Sequence, residues 1–101
     1  MENGVFPAGT SIEETLQLYL QACSVSVKPM GMARYAAMLA NGGTVPGGPT
    51  IFPPSIVRDV LCVMYSSGMY DYSGRWSSEI GLPAKSGVSG MVMVVVPKLF
   101  G

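Results

Sequence analysis

Ile12, Leu16, Tyr19, Leu20 and Cys23 recur at the 3.6-residue period, which predicts an amphipathic helix over "SIEETLQLYLQACS". Ser11 with Glu14 three residues on forms a capping-box signature, each side chain able to satisfy an orphan N–H at the helix start. A second helix is predicted from about Pro29 to Ala40. It is apolar almost all round, which implies burial on every face. "NGG" at Asn41 to Gly43 then supplies residues tolerant of the left-handed conformation that ends a helix.

"TVPGGPTIFPP" is too rich in proline and glycine for more than a loop or short hairpin. Pro53 and Pro54 suit the first turn of a third helix, where a missing N–H costs nothing. Ile56, Val57, Val60, Leu61 and Met64 form its apolar stripe, and Gly68 ends it. "GMYDYSG" reads as a loop. In "RWSSEI", Trp76, Ser78 and Ile80 alternate with Arg75, Ser77 and Glu79, the period of a half-buried strand. "PAKSG" predicts a second strand and "MVMVVV" a third, closed by Pro97. Short connections imply antiparallel pairing. Three helices followed by three strands is an α+β order. A sheet of three strands that stops at "PKLFG" looks like half of a larger one, so residues 1–101 read as one partial domain.

Composition points the same way. The 101 residues are 49% hydrophobic and only 12% charged, with a mean hydropathy of +0.39, whereas an average domain is about 25% charged. So apolar a surface implies that part of it is normally covered, by more chain or by a subunit. Six basic against six acidic residues leave no net charge, which argues against nucleic-acid binding. Cys23 and Cys62 lie in apolar helical runs without a short-range ligand partner, and the chain has no histidine. They read as two buried thiols of a reducing compartment, not a metal site. The longest purely apolar run, Met91 to Val96, is far too short to cross a membrane, and "MENGVFPAGT" has no signal-peptide character. A soluble, intracellular location is expected.

Candidate chemistry centres on "GLPAKSGVSG" at Gly81 to Gly90. A phosphate loop would need glycine before Lys85 and five residues earlier still, but Ala84 and Glu79 stand there, and a strand follows where a helix should. The other known use of lysine–serine–glycine on a strand is the active-site edge of penicillin-binding-protein and β-lactamase-like enzymes. There lysine supplies positive charge, serine a hydroxyl, and glycine room for substrate beside the backbone. Alone, the triplet is a weak signal, and a surface lysine is the favoured reading of Lys85.

The wider set decides. "FPAGTSIEETLQLYLQACS", "LANGGTVP", "GMYDYSG", "GLPAKSGVSG" and "VVVP" occur in that order, and together they resemble the serine-dependent glutaminases of β-lactamase-like fold over essentially the whole chain. The resemblance implies hydrolysis of L-glutamine to L-glutamate and ammonia through a serine-acyl intermediate. It implies no cofactor and a homo-oligomeric assembly, in a bacterial cytoplasm or a mitochondrion. It assigns Tyr19 to substrate contact and Tyr70 to both substrate contact and proton shuttling. Lys85 becomes the triplet lysine, and Val88 the donor of an oxyanion-hole N–H. Without it, Tyr19 reads as a core residue of an apolar helix face, Tyr70 as a packing or turn tyrosine, and Val88 as a strand valine.

One element of the family pattern is missing. Its nucleophile is the serine of S-x-x-K, but Ser24, Ser55 and Ser86 are followed three residues on by Val27, Arg58 and Ser89. In the family this motif, with the asparagine and glutamate that bind substrate, precedes the segment matched here. The chain therefore looks like the C-terminal part of a glutaminase domain, inactive alone. The rival expectation is a truncated, non-catalytic product serving as a binding or subunit-interaction module.

Overall fold

The computed structural model of the protein describes residues 5–99. Its elements are α1 (Ile12–Cys23), α2 (Pro29–Ala40), α3 (Pro54–Ser67), a single 3₁₀ turn (Tyr70–Tyr72), α4 (Ser73–Glu79), β1 (Ala84–Ser86) and β2 (Val92–Val94). The α+β order is as expected, with four helices in place of three. The strands β1 and β2 pair antiparallel, Ala84 opposite Val94, Lys85 opposite Met93 and Ser86 opposite Val92. Helix α2 occupies the predicted range, ended by Gly42 and Gly43 at φ +66° and +97°. The proline-rich segment after it makes a short hairpin through a Thr44–Thr50 bridge.

The predicted strand "RWSSEI" is instead helical and lies in α4. Six alternating residues are too few to separate the two periods, and side-chain bonds favour the helix. Arg75 Nε donates to Glu79 Oε1 one turn on at 2.7 Å, Ser77 Oγ donates to the Tyr65 carbonyl on α3 at 2.6 Å, and Trp76 Nε1 donates to Leu82 O at 2.8 Å. Gly81, left-handed at φ +72°, ends α4 with its N–H on the Trp76 carbonyl. A glycine followed two residues later by Pro83 is itself a helix-stop signal.

The core is small. Ala36, Met38, Leu39 and Ala40 of α2 meet Val57 and Met64 of α3 and Val95 beyond β2. Only the second half of α2 is buried, so its all-round apolar character finds a partner on one end alone. Helix α1 buries no residue. Its start uses half of the capping box: Ser11 Oγ accepts the Glu14 N–H at 3.2 Å, and its hydroxyl donates to Glu13 rather than engaging the Glu14 side chain. Cys23 and Cys62 are free and exposed, contrary to the expectation of buried thiols. Both sit on helix faces that no other element covers.

Accessible surface reflects the same sparse burial. A free-standing monomer of this mass exposes about 5,500 Å², whereas this chain exposes 7544 Å². Its radius of gyration is 16.0 Å against about 13 Å for a compact domain of this length.

The junction of α3 and β1 is the tightest in the fold. Gly68 is buried, its carbonyl accepts the Ser86 N–H at 2.9 Å, and a Cβ placed on it would overlap the Ala84 carbonyl oxygen. Its φ of −78° is ordinary, so glycine is required for close approach and not for backbone conformation. Gly68→Ala, in the complete protein, is therefore expected to destabilise by about 3 kcal/mol, the upper range of overpacking. Thermal unfolding measures this, and a midpoint unchanged within one or two degrees would contradict it.

Candidate active site

Lys85 projects from the middle of β1, and Tyr70 opens the 3₁₀ turn that follows α3. Because β1 hydrogen-bonds to the end of α3 at Gly68, these two residues, fifteen apart in sequence, face one another. The Lys85 ammonium lies 4.9 Å from the centroid of the Tyr70 ring. Such a cation over an aromatic face is worth about 0.5–1 kcal/mol at an exposed site, enough to orient the ring. Lys85 Nζ also donates to the Ser86 carbonyl at 2.6 Å, which draws its charge toward the strand.

Tyr70 has φ +51°, a left-handed backbone that costs a non-glycine residue about 1–2 kcal/mol. The turn around it is held by Ser73, whose hydroxyl donates to the Tyr70 carbonyl at 2.7 Å and accepts the Met69 N–H at 2.9 Å. Ser73 is 6% exposed, whereas Tyr70 is 62% exposed. A strained backbone clamped so that its side chain stands free is a recurrent trait of functional residues.

Tyr19 lies on α1, where it lines a separate apolar pocket of about 300 Å³ with Phe6, Ile12 and Leu16. Its phenol is pushed above the ordinary tyrosine range, first by the Cys23 thiol one turn along, then by desolvation and by the nearby Tyr70 phenol. The structure thus brings Tyr70 and Lys85 into contact. Residues 25–32 and the β1–β2 hairpin enclose a cleft of about 290 Å³, lined by Lys85, Ser86 and Ser89 and by apolar groups including Val25, Met32 and Met93. That is the small end of the range for ligand sites, about 300–1,000 Å³.

Val88 is placed differently from the strand position expected of it. It is the second residue of a β-turn closed by Gly90 N–H on the Gly87 carbonyl at 3.0 Å, and it is 99% exposed. Five residues between paired strands, two of them glycine, make the tip of a hairpin and not a continuation of β1. Its N–H makes no backbone hydrogen bond among the described residues, so it is available to an incoming acceptor.

Sequence reasoning misses Ser73, and at Gly68, marked there only as a helix end, it misses the close approach to β1. A serine between a glycine-flanked tyrosine and a helix is a candidate local cap, and that signal stands in "YDYSG". Among the described residues, no group of three His, Cys, Asp or Glu side chains could hold a metal ion. No described helix is long and apolar enough to cross a membrane.

Against known proteins, the Glutaminase family model matches residues 1–101, the whole chain. The chain belongs to the glutaminase family. It is 46% identical over 101 residues to a Caenorhabditis elegans protein named putative glutaminase 3, covering 99% of this chain and 17% of that one. The mitochondrial liver isoform of Rattus norvegicus glutaminase is 45% identical with the same coverages. A glutaminase of Nostoc is 47% identical over 90% of this chain and 28% of its own. Among solved structures, the Bacillus subtilis glutaminase YbgJ, in covalent complex with 5-oxo-L-norleucine, superposes with a TM-score of 0.82 at 35% identity over 87% of this chain and 30% of that one. This glutaminase segment therefore has the fold of its relatives and spans less than a third of their length.

Proposed function

We propose that this chain supplies the tyrosine, lysine and oxyanion-donor side of a glutaminase active site whose nucleophile lies outside it. The carrying observation is the Lys85 ammonium over the ring of a Tyr70 held in a strained backbone, beside a small cleft. In the complete enzyme, a serine oxygen attacks the side-chain amide carbon of L-glutamine and forms a tetrahedral oxyanion near the Val88 N–H. The C–N bond breaks as Tyr70 relays the serine's proton to the departing nitrogen, releasing ammonia. Water then hydrolyses the glutamyl-serine to L-glutamate and free serine. Tyr19 contacts the substrate, and Lys85 sets the electrostatics around Tyr70. No cofactor is required by these steps. The exposed face of α1 suits coverage by the remainder of the domain and by a second subunit, in an intracellular homo-oligomer.

The test is ammonia and glutamate release from L-glutamine by the complete enzyme carrying this segment. Absence of turnover by a folded preparation would overturn the proposal.

Val88 gives a sharper version. Only its N–H is proposed to act, so Val88→Ala should leave kcat within a few-fold. Val88→Pro removes that N–H and should lower kcat by about 10²–10³, the usual loss for one oxyanion donor. Proline is favoured at the second position of such a turn, so the hairpin tolerates the change. A folded Val88→Pro enzyme that kept most of its kcat would remove Val88 from the oxyanion site.

A further inference from the structure

We propose that Ser73 is a positioning residue for Tyr70, setting the aim of its hydroxyl through the backbone. The inference rests on the glutaminase reading for its kinetic test. Ser73 is the one buried polar residue among the described residues, and its hydroxyl serves the residues around Tyr70, donating to the Tyr70 carbonyl and accepting the Met69 N–H. These bonds bracket the Cα whose φ is +51°, so they help hold the backbone from which the ring extends over Lys85. Without them the left-handed backbone keeps only the turn's own main-chain bonds, the Tyr72 N–H to the Met69 carbonyl and the Ser73 N–H to the Tyr70 carbonyl. The ring is then free to leave the ammonium 4.9 Å away. Ser73 itself touches neither substrate nor reacting atoms.

A double-mutant cycle in the complete enzyme separates this role from a general structural one. Ser73→Ala should lower kcat by roughly 10²-fold, the loss expected of a misplacement near 1 Å. KM should change little. Ser73→Thr keeps a hydroxyl that can donate and accept, and should recover most of the rate. In a Tyr70→Phe background, Ser73→Ala should have almost no further effect on kcat, because the group it aims is already gone. An equal loss in both backgrounds would overturn the proposal, as would a Ser73→Ala enzyme with normal kcat. If Ser73→Ala fails to fold, amide exchange in the unsubstituted protein decides. The Met69 amide, bonded to a buried oxygen, should be strongly protected, and exchange at the rate of a free amide would overturn the clamp. An unsubstituted enzyme with no glutaminase turnover would sink the glutaminase reading instead, leaving the exchange measurement to judge Ser73.

Discussion

Incubated with L-glutamine, the purified 101-residue chain should release no ammonia above the uncatalysed rate. Acyl transfer of this kind needs a nucleophile activated by an adjacent base. No serine in the chain stands three residues before a lysine, and the Lys85 ammonium is spent on the Tyr70 ring and the Ser86 carbonyl. The same chain should self-associate, because α1 buries nothing and β2 has no second strand beside it among the described residues. The measurement is a coupled ammonia assay on protein freed of host glutaminase, with size-exclusion chromatography alongside. Turnover near that of a complete glutaminase would show that this segment carries its own nucleophile. A compact monomer melting cooperatively would contradict the view that its apolar face is normally covered, and would favour a self-standing interaction module.

Legibility of the fold followed the length and strength of each pattern. Helices α2 and α3 were readable almost to the residue, because proline at the start and glycine at the end coincide with twelve- and fourteen-residue apolar patterns. Helix α4 was not, because seven residues hold fewer than two turns and their alternation fits a strand equally well. What decides it is the docking of Ser77 and Trp76 on neighbouring segments, information absent from any local window. Burial was misread for Cys23 and Cys62 for a related reason. An apolar helix face predicts a partner, and the partner of α1 is not within the described residues. For the site, periodicity alone favoured bland roles for Tyr19, Tyr70 and Val88, and their grouping came from family motifs. The contact of Lys85 with Tyr70 depends on Gly68 letting β1 close on α3, which no spacing rule expresses.

In the complete enzyme, Tyr70→Phe should lower kcat by about 10²–10⁴, the usual contribution of a positioned proton-transfer group. The substitution is unusually clean at this position. Phenylalanine keeps the ring, so the attraction of the Lys85 ammonium to its face survives. The Ser73 clamp bonds the main chain and not the phenol, so the left-handed backbone is held as before. With 62% of the residue exposed, the lost hydroxyl leaves no buried cavity. Thermal unfolding should therefore be unchanged, and the rate loss can be assigned to the missing oxygen. The split between kinetic constants carries the argument further. A group used only as the proton moves lowers kcat and kcat/KM together, whereas one that merely grips the substrate raises KM at constant kcat. A Tyr70→Phe enzyme with normal kcat and raised KM would make Tyr70 a binding residue and move proton transfer elsewhere. A fall in both kcat and kcat/KM, with Lys85→Ala costly as well, would place the tyrosine–lysine pair at the chemical step.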